Sequence, residues 1–120
     1  MPKILLIEDM TAVRSAIASM LKKAGHEVTE ASDGIEGLSK TNAEVFDLVI
    51  TDIMMPTSDG TDVIATLKSR ASSPPIIAMS GGGAGIPAET ALAIATQLAD
   101  HSLTKPFEND ELLSAVDSLL

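Results

Sequence analysis

Asp47-Leu48-Val49-Ile50-Thr51-Asp52-Ile53-Met54-Met55-Pro56 is the stretch on which the reading of the whole chain turns. Residues 47–52 form an apolar run that ends on a carboxylate, and Pro56 followed by Asp59-Gly60 supplies turn chemistry behind it. A short apolar run bounded in this way reads as a strand, of the kind buried inside parallel sheets. Its last residue, Asp52, then stands at a strand tip. Three other apolar runs also end on polar groups. Lys3-Ile4-Leu5-Leu6-Ile7 runs into Glu8-Asp9, Ile76-Ile77-Ala78-Met79 into Ser80, and Leu103-Thr104 into Lys105-Pro106. In an open parallel sheet the carboxyl ends of the strands share one crevice, and ligands bind there.

Helical periodicity fills the spaces between these runs. Thr11 to Ala24 places Val13, Ile17, Met20, Leu21 and Ala24 on one face, and Gly25 ends the helix. Residues 26–31 alternate and read as a less buried edge strand. Residues 34–44 form a weaker helix anchored by Ile35 and Leu38. A further helix spans about 61–69, with Val63, Ile64 and Leu67 inward. Pro87 suits the first turn of a helix reaching Ala99, and the last helix places Leu112, Leu113, Val116, Leu119 and Leu120 on one stripe. Strands alternating with helices imply crossover connections and a parallel sheet covered on both faces. The expected architecture is α/β and flavodoxin-like, with five strands in the order 2-1-3-4-5 and five helices.

Composition narrows the function. The 120 residues make one domain, 1–120, with no internal repeat and no output domain expected. With no cysteine, disulfide and thiolate chemistry are excluded. No apolar run approaches the roughly 18 residues of a membrane span, and Met1-Pro2-Lys3 leads straight into a strand without a signal peptide. A cytoplasmic location is the expectation. The net charge of −9 disfavours nucleic acid and anionic membrane surfaces as partners of this domain.

The strand tips carry the chemistry. An acidic pair such as Glu8-Asp9 often does no more than favour the positive end of a helix. Beside Asp52, however, the carboxylates repel and call for a cation. Mg²⁺ suits them, being a hard ion held by a few carboxylates, waters and phosphate oxygens. There is no cysteine, and His26 and His101 stand apart, so nothing favours zinc. Ser80 precedes Gly81-Gly82-Gly83-Ala84-Gly85, which matches neither a dinucleotide fingerprint nor a P-loop. Lys105 at a strand tip beside three acids would form an ion pair and neutralise charge on a transferred phosphoryl group. A cis bond to Pro106 would fit the turn there.

Taken together, 47–56, Asp59-Gly60, Glu8-Asp9, Met79-Ser80 and Lys105-Pro106-Phe107 resemble the receiver domain of two-component response regulators, over the whole chain and in order. The single-domain chemotaxis type is the nearest in plan. The resemblance implies phosphorylation of Asp52 by a sensor histidine kinase or histidine phosphotransfer protein. It assigns Mg²⁺ to Glu8, Asp9, Asp52 and the backbone carbonyl of Met54, and the phosphoryl oxygens to Ser80 and Lys105. It makes the chain a signalling domain that catalyses only its own phosphorylation and dephosphorylation. A downstream protein target would bind the face running from the fourth helix to the fifth. One departure is plain: the family commonly has Tyr or Phe three residues before the lysine, and Ser102 stands there. A switch through the glycine-rich loop and the 87–99 helix would have to replace the aromatic one. A phosphorelay intermediate or phosphate sink is the alternative. Asp59-Gly60-Thr61 resembles a motif of metal-dependent phosphatases, but the preceding strand ends at Asp52, seven residues back, which is the wrong spacing for that pattern.

Overall fold

The computed structural model describes residues 1–53, 60–80 and 99–120, with side chains left aside for 60–62. Five strands form one parallel sheet in the order β2-β1-β3-β4-β5. They are β1 (Lys3–Ile7), β2 (Glu27–Ala31), β3 (Leu48–Asp52), β4 (Ile76–Ser80) and β5 (His101–Thr104). Four helices are described: α1 (Thr11–Lys23), α2 (Gly34–Ala43), α3 (Gly60–Lys68) and α4 (Asn109–Leu119). The expected fourth helix, 87–99, falls almost wholly outside the described residues, as do Met54 and the glycine-rich loop.

The strand alternation sorts the core onto two faces. Leu5, Ile7, Val49, Ile76 and Ala78 point to one side, where Val63, Ile64 and Leu67 of α3 cover them. Ile4, Leu6, Leu48, Ile50, Ile77 and Met79 point to the other, under Ile17, Ala18 and Leu21 of α1 and Leu112, Ala115 and Val116 of α4. β3 and β4 are buried throughout, while the edge strands β2 and β5 are only partly buried. This is the burial expected of central and edge strands in a two-faced sheet.

Local chemistry fixes the joints. Gly25 adopts φ +95°, its N–H donates to the Lys22 carbonyl and the His26 N–H donates to the Leu21 carbonyl. This paired closure of a helix by a left-handed glycine turns α1 toward β2. The Asp33 carboxylate caps α2 by accepting from the Glu36 N–H at 2.8 Å. In return the backbone and hydroxyl of Ser32 donate to Glu36, holding its carboxyl below the ordinary value. At the base of the sheet the Ile76 N–H and the Lys68 ammonium both donate to Asp100, at 2.8 and 2.6 Å.

Three side-chain placements differ from the sequence reading. Ile35 is 68% exposed, so it does not anchor α2. The buried positions of that helix are Gly34 and Gly37, and Leu38 is only partly buried. Gly37 lets the α2 backbone come close to Ile7 of the sheet, which removes the need for an isoleucine anchor. Ala24 and Leu120 are also exposed, because each lies at or past the last turn of its helix. A Cβ at Gly37 would press on Cδ1 of buried Ile7 and lie 2.8 Å from its Cγ1. Gly37→Ala is therefore expected to destabilise by about 1–2 kcal/mol, the overpacking cost exceeding the helix-propensity gain. A urea midpoint at or above the parent's would show that Ile7 yields without cost.

Candidate functional site

Parallel register carries four tips to one edge. Ile7 pairs with Thr51, and Asp52 pairs with Met79. Ser80 pairs with Thr104, and one step on the Lys105 N–H donates to the Ser80 carbonyl at 2.8 Å. Thus Glu8, Asp52, Ser80 and Lys105 each stand at or one residue beyond the end of a neighbouring strand. The Lys105–Pro106 bond is cis, as the turn there suggested.

The side chains converge as well. Glu8 is fully buried and Asp52 is 6% exposed. The Lys105 ammonium donates to Glu8 Oε1 at 2.5 Å and to Asp52 Oδ2 at 2.7 Å. Glu8, Asp9 and Asp52 each offer a carboxylate oxygen, and the three oxygens lie within 4.8 Å of one another. Among the described residues this is the only such acidic group. One ammonium thus bridges two of the three clustered carboxylates. Burial lifts the Glu8 carboxyl to about 7; Lys105 opposes that shift and the Asp52 charge adds to it. Burial draws the Lys105 ammonium down, but the hydrogen bonds it donates to Asp52 and Glu8 outweigh that and hold it above the ordinary lysine value.

Mg²⁺ fits this donor set. Three hard oxygen donors lie close together in a pocket with a carboxylate excess, which suits a small divalent ion. Ser80 adds an independent sign. Its Oγ is buried and has no hydrogen-bond partner among the described residues. A buried hydroxyl calls for a hydrogen-bond acceptor.

Of the residues read from the sequence, Glu8, Asp9, Asp52 and Lys105 are brought together, and Ser80 reaches the same edge. Met54 lies outside the described residues. Ser102, where an aromatic was absent, is half-buried on edge strand β5, opposite Ala78. His101 is exposed and His26 half-buried, both remote from the acids in the fold. Arg14 was not singled out, yet its guanidinium donates to the Glu8 main-chain carbonyl at 2.8 Å. The only sequence signal was a cation one turn into the helix that follows the acidic pair.

Comparison with known proteins agrees with this geometry. The family model for the response regulator receiver domain matches residues 4–117. The chain is 36% identical over 119 residues to the transcriptional activator protein PfeR of Pseudomonas aeruginosa, covering 99% of this chain and 38% of that protein. It is 32% identical over 120 residues to the sensory transduction protein RegX3 of Mycobacterium tuberculosis, covering 100% of this chain and 51% of that one. The chain therefore spans about half or less of these relatives. Among solved structures, response regulator TrrA from Thermotoga maritima in complex with Mg²⁺-BeF matches with TM-score 0.87 and 29% identity, each chain covered fully. The chemotaxis protein CheY4 of Vibrio cholerae matches with TM-score 0.85 and 28% identity, over 100% of this chain and 99% of that one. No helix among the described residues is long and apolar enough to cross a membrane.

Proposed function

Because this chain belongs to the response regulator receiver domain family of two-component signalling, we propose that Asp52 accepts a phosphoryl group from a phosphohistidine on a sensor kinase or histidine phosphotransfer protein. The observation that carries the reading is the meeting of Glu8, Asp9 and Asp52 at the carboxyl edge of the sheet, with Lys105 paired to Glu8 and Asp52. An Asp52 carboxylate oxygen attacks phosphorus, the bond from phosphorus to the imidazole nitrogen breaks, and an acyl phosphate forms. Such transfer asks for positioning and charge neutralisation rather than further covalent chemistry. Glu8, Asp9, Asp52 and the Met54 carbonyl would hold Mg²⁺, which neutralises charge on the phosphoryl oxygens when bound. Lys105 turns from its carboxylate partners to a phosphoryl oxygen. Ser80 gives its hydroxyl to another. Asp52 then bears about −2 in place of −1, which biases the segments around Ser80.

The proposed mode is a receiver acting as a unit by itself, 1–120, that signals through a protein partner. CheY4 and TrrA support it, since the chain matches almost the whole of each. The longer relatives, PfeR and RegX3, favour a second arrangement in which a receiver governs a further module. The small Ser102 in place of a switching ring favours a relay intermediate or phosphate sink, which return of the phosphoryl group to a histidine phosphotransfer protein would reveal.

Acetyl phosphate with Mg²⁺ tests the core of the reading by intact mass. One phosphoryl group is expected on the parent and none on Asp52→Asn or in EDTA. Uptake by Asp52→Asn would place the acceptor elsewhere. Asp52→Asn should fold at least as well as the parent, since one ammonium then faces one fewer carboxylate.

A further inference from the structure

Resting on that reading of the acidic site, we propose that Arg14 is a positioning residue, a strut that sets the peptide plane between Glu8 and Asp9 and thereby the spacing of their carboxylates for Mg²⁺. β1 ends at Ile7, so the Glu8 carbonyl lies past the strand. Arg14 supplies it with a donor, one guanidinium nitrogen donating at 2.8 Å. Its Nε donates to Glu30 Oε1 on edge strand β2 at 3.3 Å. The Glu8 N–H in turn donates to the Ala31 carbonyl of β2 at 3.1 Å. Both polar groups of the Glu8 backbone are thus referred to the same edge strand, one directly and one through Arg14. The Arg14 side chain is only 17% exposed, so little water competes for the bond.

The peptide unit that carries the Glu8 carbonyl also carries the Asp9 N–H, and it is rigid. Holding its oxygen with a charge-assisted bond fixes its rotation, and the two acidic side chains leave from either end of it. Arg14 is rooted in the first turn of α1, where its own N–H donates to the Met10 carbonyl at 2.8 Å. Its fork joins helix, acidic turn and edge strand.

The position allows a test in which charge and placement predict opposite signs. As a nearby positive charge alone, Arg14 would repel Mg²⁺, so removing it would tighten binding. As a strut its removal weakens binding, by the roughly tenfold or more typical of groups that orient metal ligands. Mg²⁺ affinity by calorimetry should fall about tenfold in Arg14→Ala. It should fall in Arg14→Lys too, which keeps the charge but lacks the fork. In EDTA, the Asp9 amide should exchange hydrogen faster in both variants while the core amides keep their protection. Tighter Mg²⁺ binding by Arg14→Ala with an unchanged Arg14→Lys would overturn the strut. So would unaltered Asp9 exchange in both variants. A parent that binds no Mg²⁺ would instead remove the reading of the site, and Asp9 exchange would still judge Arg14.

Discussion

Lys105→Met is expected to lower the unfolding free energy at pH 8 in EDTA by about 3–5 kcal/mol, the usual cost of stripping one partner from a buried charge pair. The lysine bridges a fully buried Glu8 and a nearly buried Asp52. Without it the two carboxylates would face each other and Asp9 with no cation between them, and methionine offers them nothing. The loss should shrink near pH 5, where Glu8 takes a proton and the repulsion is relieved. Mg²⁺ should stabilise Lys105→Met more than the parent, because the ion then meets a cluster with no internal cation. Denaturant unfolding at two pH values, with and without Mg²⁺, measures all of this. A loss below about 1 kcal/mol at pH 8 would place the ammonium on the rim rather than in the pocket.

That pocket was legible in the sequence because the fold brings strand tips together by rule. An apolar run has a definite end, and parallel register aligns such ends, so Asp52, Glu8, Ser80 and Lys105 could be located from where four runs stopped. The sheet order followed from the alternation of strands with helices for the same reason. What escaped were relations that periodicity does not encode. Ile35 holds an apolar place in the pattern of α2 yet faces solvent, since Gly37 lies against Ile7 of the sheet and a glycine leaves no mark on a hydrophobic stripe. Arg14 escaped because its partner is a main-chain carbonyl, which every residue possesses. The Lys105 bridge was foreseen as an ion pair with the acids, but its two-pronged grip on Glu8 and Asp52 needed coordinates.

Glu8 makes the protein's stability and its metal affinity depend on pH in opposite ways. Its carboxyl rises from an ordinary 4.5 to about 7, first through burial, with Lys105 opposing and Asp52 adding. A folded-state pKa above the unfolded one means that the folded state binds the proton more tightly. The stability from this group is therefore fully present below about 4.5 and is lost as pH rises through 7. The lowered carboxyls of Glu36 and Asp100 act in a separate window. Their contribution is present above about 4.5 and 3.8 and fades only as pH falls below those values. In EDTA, stability should thus decline between pH 5 and pH 8. Mg²⁺ takes the ionised carboxylate, so binding below pH 7 must expel the Glu8 proton. Affinity should rise about tenfold between pH 6 and pH 8 and level off beyond, where Glu8 is already ionised. Calorimetry in buffers of different ionisation enthalpy should find close to one proton released at pH 6 and almost none at pH 8. Equal affinity at both values, with no proton released, would mean that Glu8 is ionised throughout and that Lys105 neutralises it more fully than its burial opposes.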